Sequence, residues 1–100
     1  MLKAKQKSYL RSLGQTTKPI MQIGKNSISG SFIETFEIQL ESHELIKVSV
    51  LQNCTDDKKE LAEELCQKTN CELVQIIGHQ LIFYRESSKD DLKDKIKLPE

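Results

Sequence analysis

The sequence has no long hydrophobic segment. No apolar run approaches the roughly 20 residues that a membrane-spanning helix needs, so we expect no membrane partner. Residues 1–13 place basic side chains among polar ones without an apolar block, a pattern that does not predict a secretory signal. We therefore expect a cytoplasmic protein, and its 100 residues suit one domain rather than two.

Cysteine and histidine are too few and too scattered to predict a metal centre or a catalytic site. The three cysteines, Cys54, Cys66 and Cys71, form no C-x-x-C pair, whereas a structural zinc site needs four ligands. Cys66 is expected to act as a small hydrophobic residue on the inner side of a helix. His43 and His79 have ordinary interpretations as a helix-end residue and a turn residue. We predict no enzyme, no metal and no cofactor. The rival enzyme hypothesis would require a deep pocket holding a group with a strongly shifted pKa.

Acidic residues are absent from the first third of the chain. Residues 1–33 contain six basic residues and no Asp or Glu, whereas residues 34–100 contain nine basic and 15 acidic residues. The formal net charge of zero therefore conceals a segment of +6 and a segment of −6. A partner responds to the local charge, so a polyanion would be attracted to the first third of the chain and repelled by the rest.

The hydrophobic periodicity predicts alternating helices and strands. We expect helices over residues 3–13, 29–42 and 57–69 and strands over residues 20–23, 44–51, 71–77 and 80–85. Gly14 is expected just past the end of the first helix, and Ser29 is one of two candidate N-caps for the second. This order predicts an α/β fold, an α-β-α-β-α-β-β two-layer sandwich with a four-stranded mixed sheet.

The predicted fold places at least two helices on one face of the sheet. Tyr9, Phe32 and Phe36 are expected in the core, so the sequence does not favour a base-stacking platform among its five aromatic residues. Polar residues dominate the end of the chain. We therefore predict a domain over residues 1–86 and a flexible tail over residues 87–100.

The sequence Gly24-Lys25-Asn26-Ser27 connects the first strand to the second helix. Glycine lets the backbone come close to a ligand, and asparagine tolerates left-handed conformations. The following helix directs its free N–H groups and its positive end toward this loop, while Lys25 adds a positive charge. The loop alone is also compatible with an ordinary connection, but the acid-free basic helix before it favours phosphate binding.

Several short motifs follow one another in order along the chain. They are Lys5-Gln6-Lys7, Leu10-Arg11, Gln22-Ile23-Gly24-Lys25, His43-Glu44-Leu45-Ile46-Lys47-Val48, Glu72-Leu73-Val74-Gln75-Ile76-Ile77-Gly78 and Leu81-Ile82-Phe83-Tyr84-Arg85. Together they resemble the YhbY-type RNA-binding proteins, which are single-domain members of the CRS1–YhbY family with its CRM (chloroplast splicing and ribosome maturation) domain. The resemblance extends over residues 2–86, and residues 44–54 are similar to the version found in Firmicutes.

The resemblance implies a fold similar to the C-terminal domain of translation initiation factor three. It also implies RNA binding through a G-x-x-G loop and nearby basic residues. Bacterial single-domain members of the family associate with precursors of the large ribosomal subunit, so the resemblance implies ribosomal RNA as the partner. Mapped onto this chain, the expected RNA-binding residues are Lys3, Lys7, Arg11, Lys18, Gly24, Lys25, Asn26, Ser27, Lys47 and Arg85.

Ser27 and Lys47 differ from the other expected RNA-binding residues. Ser27 departs from the family pattern, because it stands where the second glycine of the loop belongs. Lys47 is expected either to contact RNA or to cover the sheet with its aliphatic stem.

The predicted function is therefore RNA binding by a monomer, with ribosomal RNA in large-subunit precursor particles as the partner. The alternative is a protein-interaction module, in which the acidic stripe of Glu34, Glu37 and Glu41 on the second helix docks on a basic ribosomal protein.

Overall fold

The computed structural model describes residues 3–24, 28–52, 54, 56–87 and 96. The helices are α1 (Ala4–Thr16), α2 (Gly30–His43) and α3 (Lys58–Thr69), and the strands are β1 (Pro19–Ile23), β2 (Leu45–Val50), β3 (Glu72–Ile77) and β4 (Gln80–Tyr84). The strands form one sheet in the order β1-β2-β4-β3. β1 pairs with β2 in parallel, and the other pairs are antiparallel. The predicted α/β fold, element order and mixed four-stranded sheet are confirmed.

One face of the sheet packs against α2 and α3. Alternate residues of the central strand β2 point to this face, where Ile46 and Val48 join Leu61 and Leu65 of α3 in the main core cluster. Phe36 of α2 contacts Phe83 of β4 edge to face, with ring centroids 5.1 Å apart. The prediction that at least two helices cover one face is therefore confirmed.

The opposite face of the sheet packs against α1. Leu10, which is fully buried, contacts a second core cluster that includes Leu45, Ile82 and Tyr84. α1 therefore adds a third layer to the two that the sequence predicts. None of the helices within the described residues is both long and apolar enough to cross a bilayer.

Two expectations for α1 are wrong. Gly14 lies inside the helix rather than beyond its end, and α1 continues to Thr16. A Cβ atom on Gly14 would lie only 2.7 Å from Ile82 Cδ1, so the glycine is needed for close packing of helix on sheet. Tyr9 is 41% exposed rather than in the core, because it lies on the flank of α1 beside the buried Leu10.

The ends of α2 have local causes in the sequence. Ser29 is the N-cap, and its hydroxyl accepts a hydrogen bond of 3.1 Å from the N–H of Phe32. At the other end, Glu44 adopts φ 62°, and its N–H donates to Leu40 O at 2.8 Å. This turn leads α2 directly into β2.

The segment after β4 returns to this turn. The buried carboxylate of Glu44 accepts hydrogen bonds from the N–H of Ser87 at 2.7 Å and from the N–H of Ile96 at 2.6 Å. Ile96 also packs against the cluster around Leu10. The boundary expected at residue 86 stays a prediction, and most of the segment 87–100 lies outside the described residues.

Candidate nucleic-acid interface

Basic side chains lie along one flank of α1, at the edge of the side that packs on the sheet. Lys3 caps the helix, and Lys7 and Arg11 follow at intervals of four residues, which places all three along one side. Lys3 and Arg11 are exposed, and Lys7 is half-buried. Among the residues that the structure describes, ion pairs to carboxylates involve only Lys68 and Arg85. The positive charge of α1 therefore has no acidic partner there.

One hydrogen bond within the first turn of α1 and one from α1 to β3 help to hold this helix in place. Gln6 Oε1 accepts a hydrogen bond of 3.0 Å from the N–H of Lys3, which orders the first turn. Arg11 Nε donates to Val74 O of β3 at 3.4 Å, a long and therefore weak bond. No acidic residue lies in the first turn, so the positive end of the helix dipole adds to the lysine charges.

Lys18 and Lys47 lie close to the C-terminal end of α1. Lys18 is exposed in the short connection from α1 to β1, and the next residue, Pro19, pairs with Lys47 of β2. Lys47 is on the same face of the sheet as α1 and is only 5% exposed. Such burial supports the alternative in which the aliphatic stem of Lys47 covers the sheet; an RNA contact through its amine stays a prediction.

Gly24 lies at the opposite end of β1 from Lys18. The intervening strand separates the two residues by about 20 Å, at roughly 3.3 Å per residue. Lys25, Asn26 and Ser27 lie outside the described residues, so their predicted role is untested. The helix that follows, α2, has no acidic residue in its first turn, which leaves its positive end available to an anion bound at the loop.

Arg85 is not brought together with the other predicted site residues. It follows β4 on the face covered by α2 and α3, and its Nη1 atom donates to Thr69 O at 2.7 Å. Its guanidinium lies 3.5 Å from Glu37 Oε1 and 3.8 Å from Glu41 Oε1. These contacts neutralise much of the charge that an RNA phosphate would need. A contact from Arg85 to RNA stays a prediction.

Two further residues of α1 form a second exposed pair, about 160° around the helix from Lys7 and Arg11 at 3.6 residues per turn. Lys5 and Tyr9 are both exposed and are four residues apart on the helix. An exposed aromatic ring beside a lysine offers a face on which an unpaired base can stack. The four-residue spacing between Lys5 and Tyr9 is compatible with an exposed Tyr9 on the same side of the helix as Lys5. The same helical periodicity also allows Tyr9 to face inward with Leu10 and Leu13.

The side of the molecule opposite α1 is acidic. Glu34, Glu37, Ile38, Glu41 and Arg85 line an open groove of about 670 Å³ along α2. Ile38 is 64% exposed in this groove. Among the described residues, no group of three or more His, Cys, Asp or Glu side chains could hold a metal ion.

Comparisons with known proteins agree with this architecture. The CRS1/YhbY (CRM) domain family matches residues 2–85. The Bacillus subtilis protein YqeI, a candidate RNA-binding protein by name, is 43% identical over 99 residues, which cover 99% of this chain and 100% of YqeI. A Haemophilus influenzae relative named as an RNA-binding protein is 34% identical over 98 residues, covering 98% of this chain and 95% of the relative.

A solved structure shows the same fold. The solution structure of a Staphylococcus aureus protein, described as a candidate RNA-binding protein, has a TM-score of 0.79 and 52% sequence identity, covering 99% of this chain and 100% of that protein. Sequence and structure thus agree over nearly the whole length, and the chain belongs to the CRS1/YhbY (CRM) domain family.

Proposed function

We propose that this protein binds structured RNA through the basic surface of α1 together with the loop that begins at Gly24. The observation that carries the proposal is the row of Lys3, Lys7 and Arg11 without an acidic partner among the described residues. Relatives that are named for RNA binding support it. The protein acts by binding, without catalysis or a cofactor.

The two parts of the interface have different roles. The lysines and Arg11 of α1 contact phosphates, which position the RNA without reading its sequence. The loop at Gly24, about 20 Å from Lys18 along β1, offers a second phosphate site at the start of α2. Two separated contacts fix the orientation of an RNA backbone, so recognition depends on RNA shape. Tyr9 adds stacking where an unpaired base is within reach.

Binding should weaken steeply as the salt concentration rises. If three to five phosphates are neutralised, the slope of log K against log salt is about −2 to −4.5, from the coefficients for single-stranded and double-stranded nucleic acid. Filter binding of a structured ribosomal RNA fragment at several salt concentrations measures this slope. A flat profile would show that phosphate contacts do not supply the affinity.

More specifically, we propose that the protein is a monomer and that its partner is ribosomal RNA within cytoplasmic precursors of the large ribosomal subunit. The family resemblance supports this choice, because phosphate recognition alone does not select one RNA. Crosslinking in cells followed by sequencing of the attached RNA tests it, together with gradient sedimentation. We expect crosslinks in large-subunit ribosomal RNA and protein in the precursor fractions. Crosslinks confined to messenger or transfer RNA would contradict the assignment while leaving RNA binding intact.

A second candidate function is docking of a basic protein segment in the acidic groove of α2. Its supporting observation is the exposed Ile38 between Glu34, Glu37 and Glu41, which combines an apolar contact with negative charge. Binding to naked RNA separates the two functions. A protein that ignores naked RNA but binds isolated basic ribosomal proteins would favour docking.

A further inference from the structure

Two cysteines meet at the junction of α3 and β3. Cys66 lies in the last turns of α3, and Cys71 immediately precedes β3. Asn70, with φ 58°, turns the chain between them in the left-handed conformation. The two Sγ atoms consequently lie 3.8 Å apart. Cys54 has no sulfur contact among the described residues and is therefore an internal reference.

The surroundings of Cys71 favour its thiolate form. Between the two neutral thiols, Cys71 Sγ donates to Cys66 Sγ. When Cys71 is ionised, the S–H of Cys66 donates to it instead, and this hydrogen bond is the main influence that lowers the pKa of Cys71. Burial opposes that effect, while the Thr69 hydroxyl, whose one proton is shared between Leu65 O at 2.6 Å and Cys71 Sγ at 3.2 Å, and the positive charge of Arg85 add to it. The same pairing raises the pKa of Cys66, chiefly through its hydrogen bond to Cys71.

We propose that Cys66 and Cys71 form a redox-active dithiol that hydrogen peroxide converts into an intramolecular disulfide. The Cys71 thiolate attacks one peroxide oxygen, the O–O bond breaks, and the departing hydroxide takes up a proton as water. Cys71 is then a sulfenic acid. The Cys66 sulfur attacks it, the S–O bond breaks, and a second water leaves with the Cys66 proton. Two thiols and one peroxide thus give one disulfide and two waters.

The geometry supports both steps. Closing the disulfide requires the sulfurs to approach by a further ~1.8 Å, to a bonded length of about 2.05 Å. Rotation of one cysteine side chain moves its sulfur by a distance of this order. Once Cys71 is a sulfenic acid, its negative charge is gone and the main cause of the raised Cys66 pKa disappears with it. Cys71 is 8% exposed and Cys66 is half-buried, an opening that suits a small oxidant.

Peptide mapping of the oxidised protein tests the proposal without any substitution. The full chain is reduced, freed of reductant, treated with a small excess of peroxide, alkylated and digested with trypsin. Cleavage after Lys59, Lys68 and Arg85 separates Cys66 from Cys71, so only a disulfide holds the fragments 60–68 and 69–85 together. We expect this linked pair, an intact mass lower by two hydrogen atoms, and an alkylated Cys54. Linkage through Cys54, or only disulfide-linked dimers, would overturn the proposal.

Single substitutions distinguish Cys71, which attacks the peroxide, from Cys66, which attacks the resulting sulfenic acid. Cys66→Ser should leave Cys71 trapped as a sulfenic acid that dimedone labels, whereas in Cys71→Ser protein dimedone should label Cys66 much more slowly. Cys54→Ser is the control and should form the linked fragments at the wild-type rate. Thermal melts confirm that each variant is folded before oxidation. Dimedone labelling of Cys66 in folded Cys71→Ser protein, equal to that of Cys71 in Cys66→Ser protein, would contradict Cys71 as the nucleophile.

Discussion

At the scale of single residues, Gly14 sets how closely α1 approaches the sheet. The nearest atoms to a Cβ at this position, Ile82 Cδ1 at 2.7 Å and Ile82 Cγ2 at 3.2 Å, belong to a fully buried side chain. Packed interiors transmit such strain because they contain few voids. A larger residue here must therefore displace either the Ile82 side chain or α1 together with its basic side chains.

Gly14→Ala should lower the free energy of unfolding by about 1 kcal/mol. Overpacking costs roughly 1–3 kcal/mol, and the gain in helix propensity offsets about 1 kcal/mol of it. Ile82→Val removes the Cδ1 atom, so Gly14→Ala should cost measurably less in that background. Denaturant unfolding of the four proteins in this cycle measures both effects. Stabilisation by Gly14→Ala in the wild-type background would show that the helix has room to spare.

At the scale of elements, the turn from α2 to β2 is joined to the end of the chain. Glu44 is 0% exposed, and its two carboxylate oxygens accept the N–H groups of Ser87 and Ile96. Ser87 Oγ also donates to Glu41 O of α2 at 2.8 Å. Ile96 lies against the cluster that holds α1, so the described residues beyond 86 connect both faces of the sheet.

Truncation after Glu86 should therefore destabilise the protein by about 1–3 kcal/mol, the cost of leaving a buried polar group without its partners. Glu44→Gln should also destabilise the full chain, because an amide cannot accept both N–H groups. In the truncated chain the same substitution should have a smaller effect, since the donors are already gone. Thermal and denaturant unfolding measure these differences. Unchanged stability of the truncated chain would instead support the domain boundary predicted at residue 86.

At the scale of the whole molecule, the sheet separates two surfaces of opposite character. α1 contributes Lys5, Lys7 and Arg11 without an acidic residue, whereas α2 contains Glu34, Glu37 and Glu41 and no Lys or Arg. The charge division in the sequence therefore becomes a division between α1 and α2, whereas α3 carries three Lys and three Glu. A polyanion approaching α1 meets attraction there, with the acidic helix on the far side of the sheet.

Much of this fold could be predicted from local patterns. The strand predicted for β2, the helical periodicity of α2 and the Ser29 cap each depend on a few residues, and the structure confirms them. Gly14 could not be assigned in the same way. A glycine that ends a helix and a glycine that permits close packing look identical in sequence, and only the position of Ile82 distinguishes them.

The candidate site was likewise only partly predictable from local sequence patterns. The basic row on α1 follows from spacing alone, because residues four apart share a side of a helix. The ion pairs of Arg85 with Glu37 and Glu41 join residues more than 40 positions apart, and no local pattern contains them. The burial of Lys47 likewise depends on α1 crossing the sheet beside it.

The most direct test of RNA binding on α1 compares two triple variants that remove equal charge from opposite faces of the sheet. Lys3→Ala, Lys7→Ala and Arg11→Ala remove three positive charges from α1, and Lys58→Ala, Lys59→Ala and Lys68→Ala remove three from α3. Alanine favours helix, so thermal melts should show both variants folded. The control variant loses the hydrogen bond from Lys58 Nζ to Gly78 O and the ion pair of Lys68 with Glu64.

Binding of one structured ribosomal RNA fragment is then measured at several salt concentrations for both variants and the wild type. We expect the α1 variant to bind more weakly, with the slope of log K against log salt reduced in magnitude by roughly 2 to 3 for three lost phosphate contacts. The α3 variant should keep the wild-type slope. Equal loss of RNA affinity in both variants would mean that net charge alone governs binding. A larger loss of affinity in the α3 variant would place the RNA on the opposite face of the sheet. Either result would contradict RNA binding through α1.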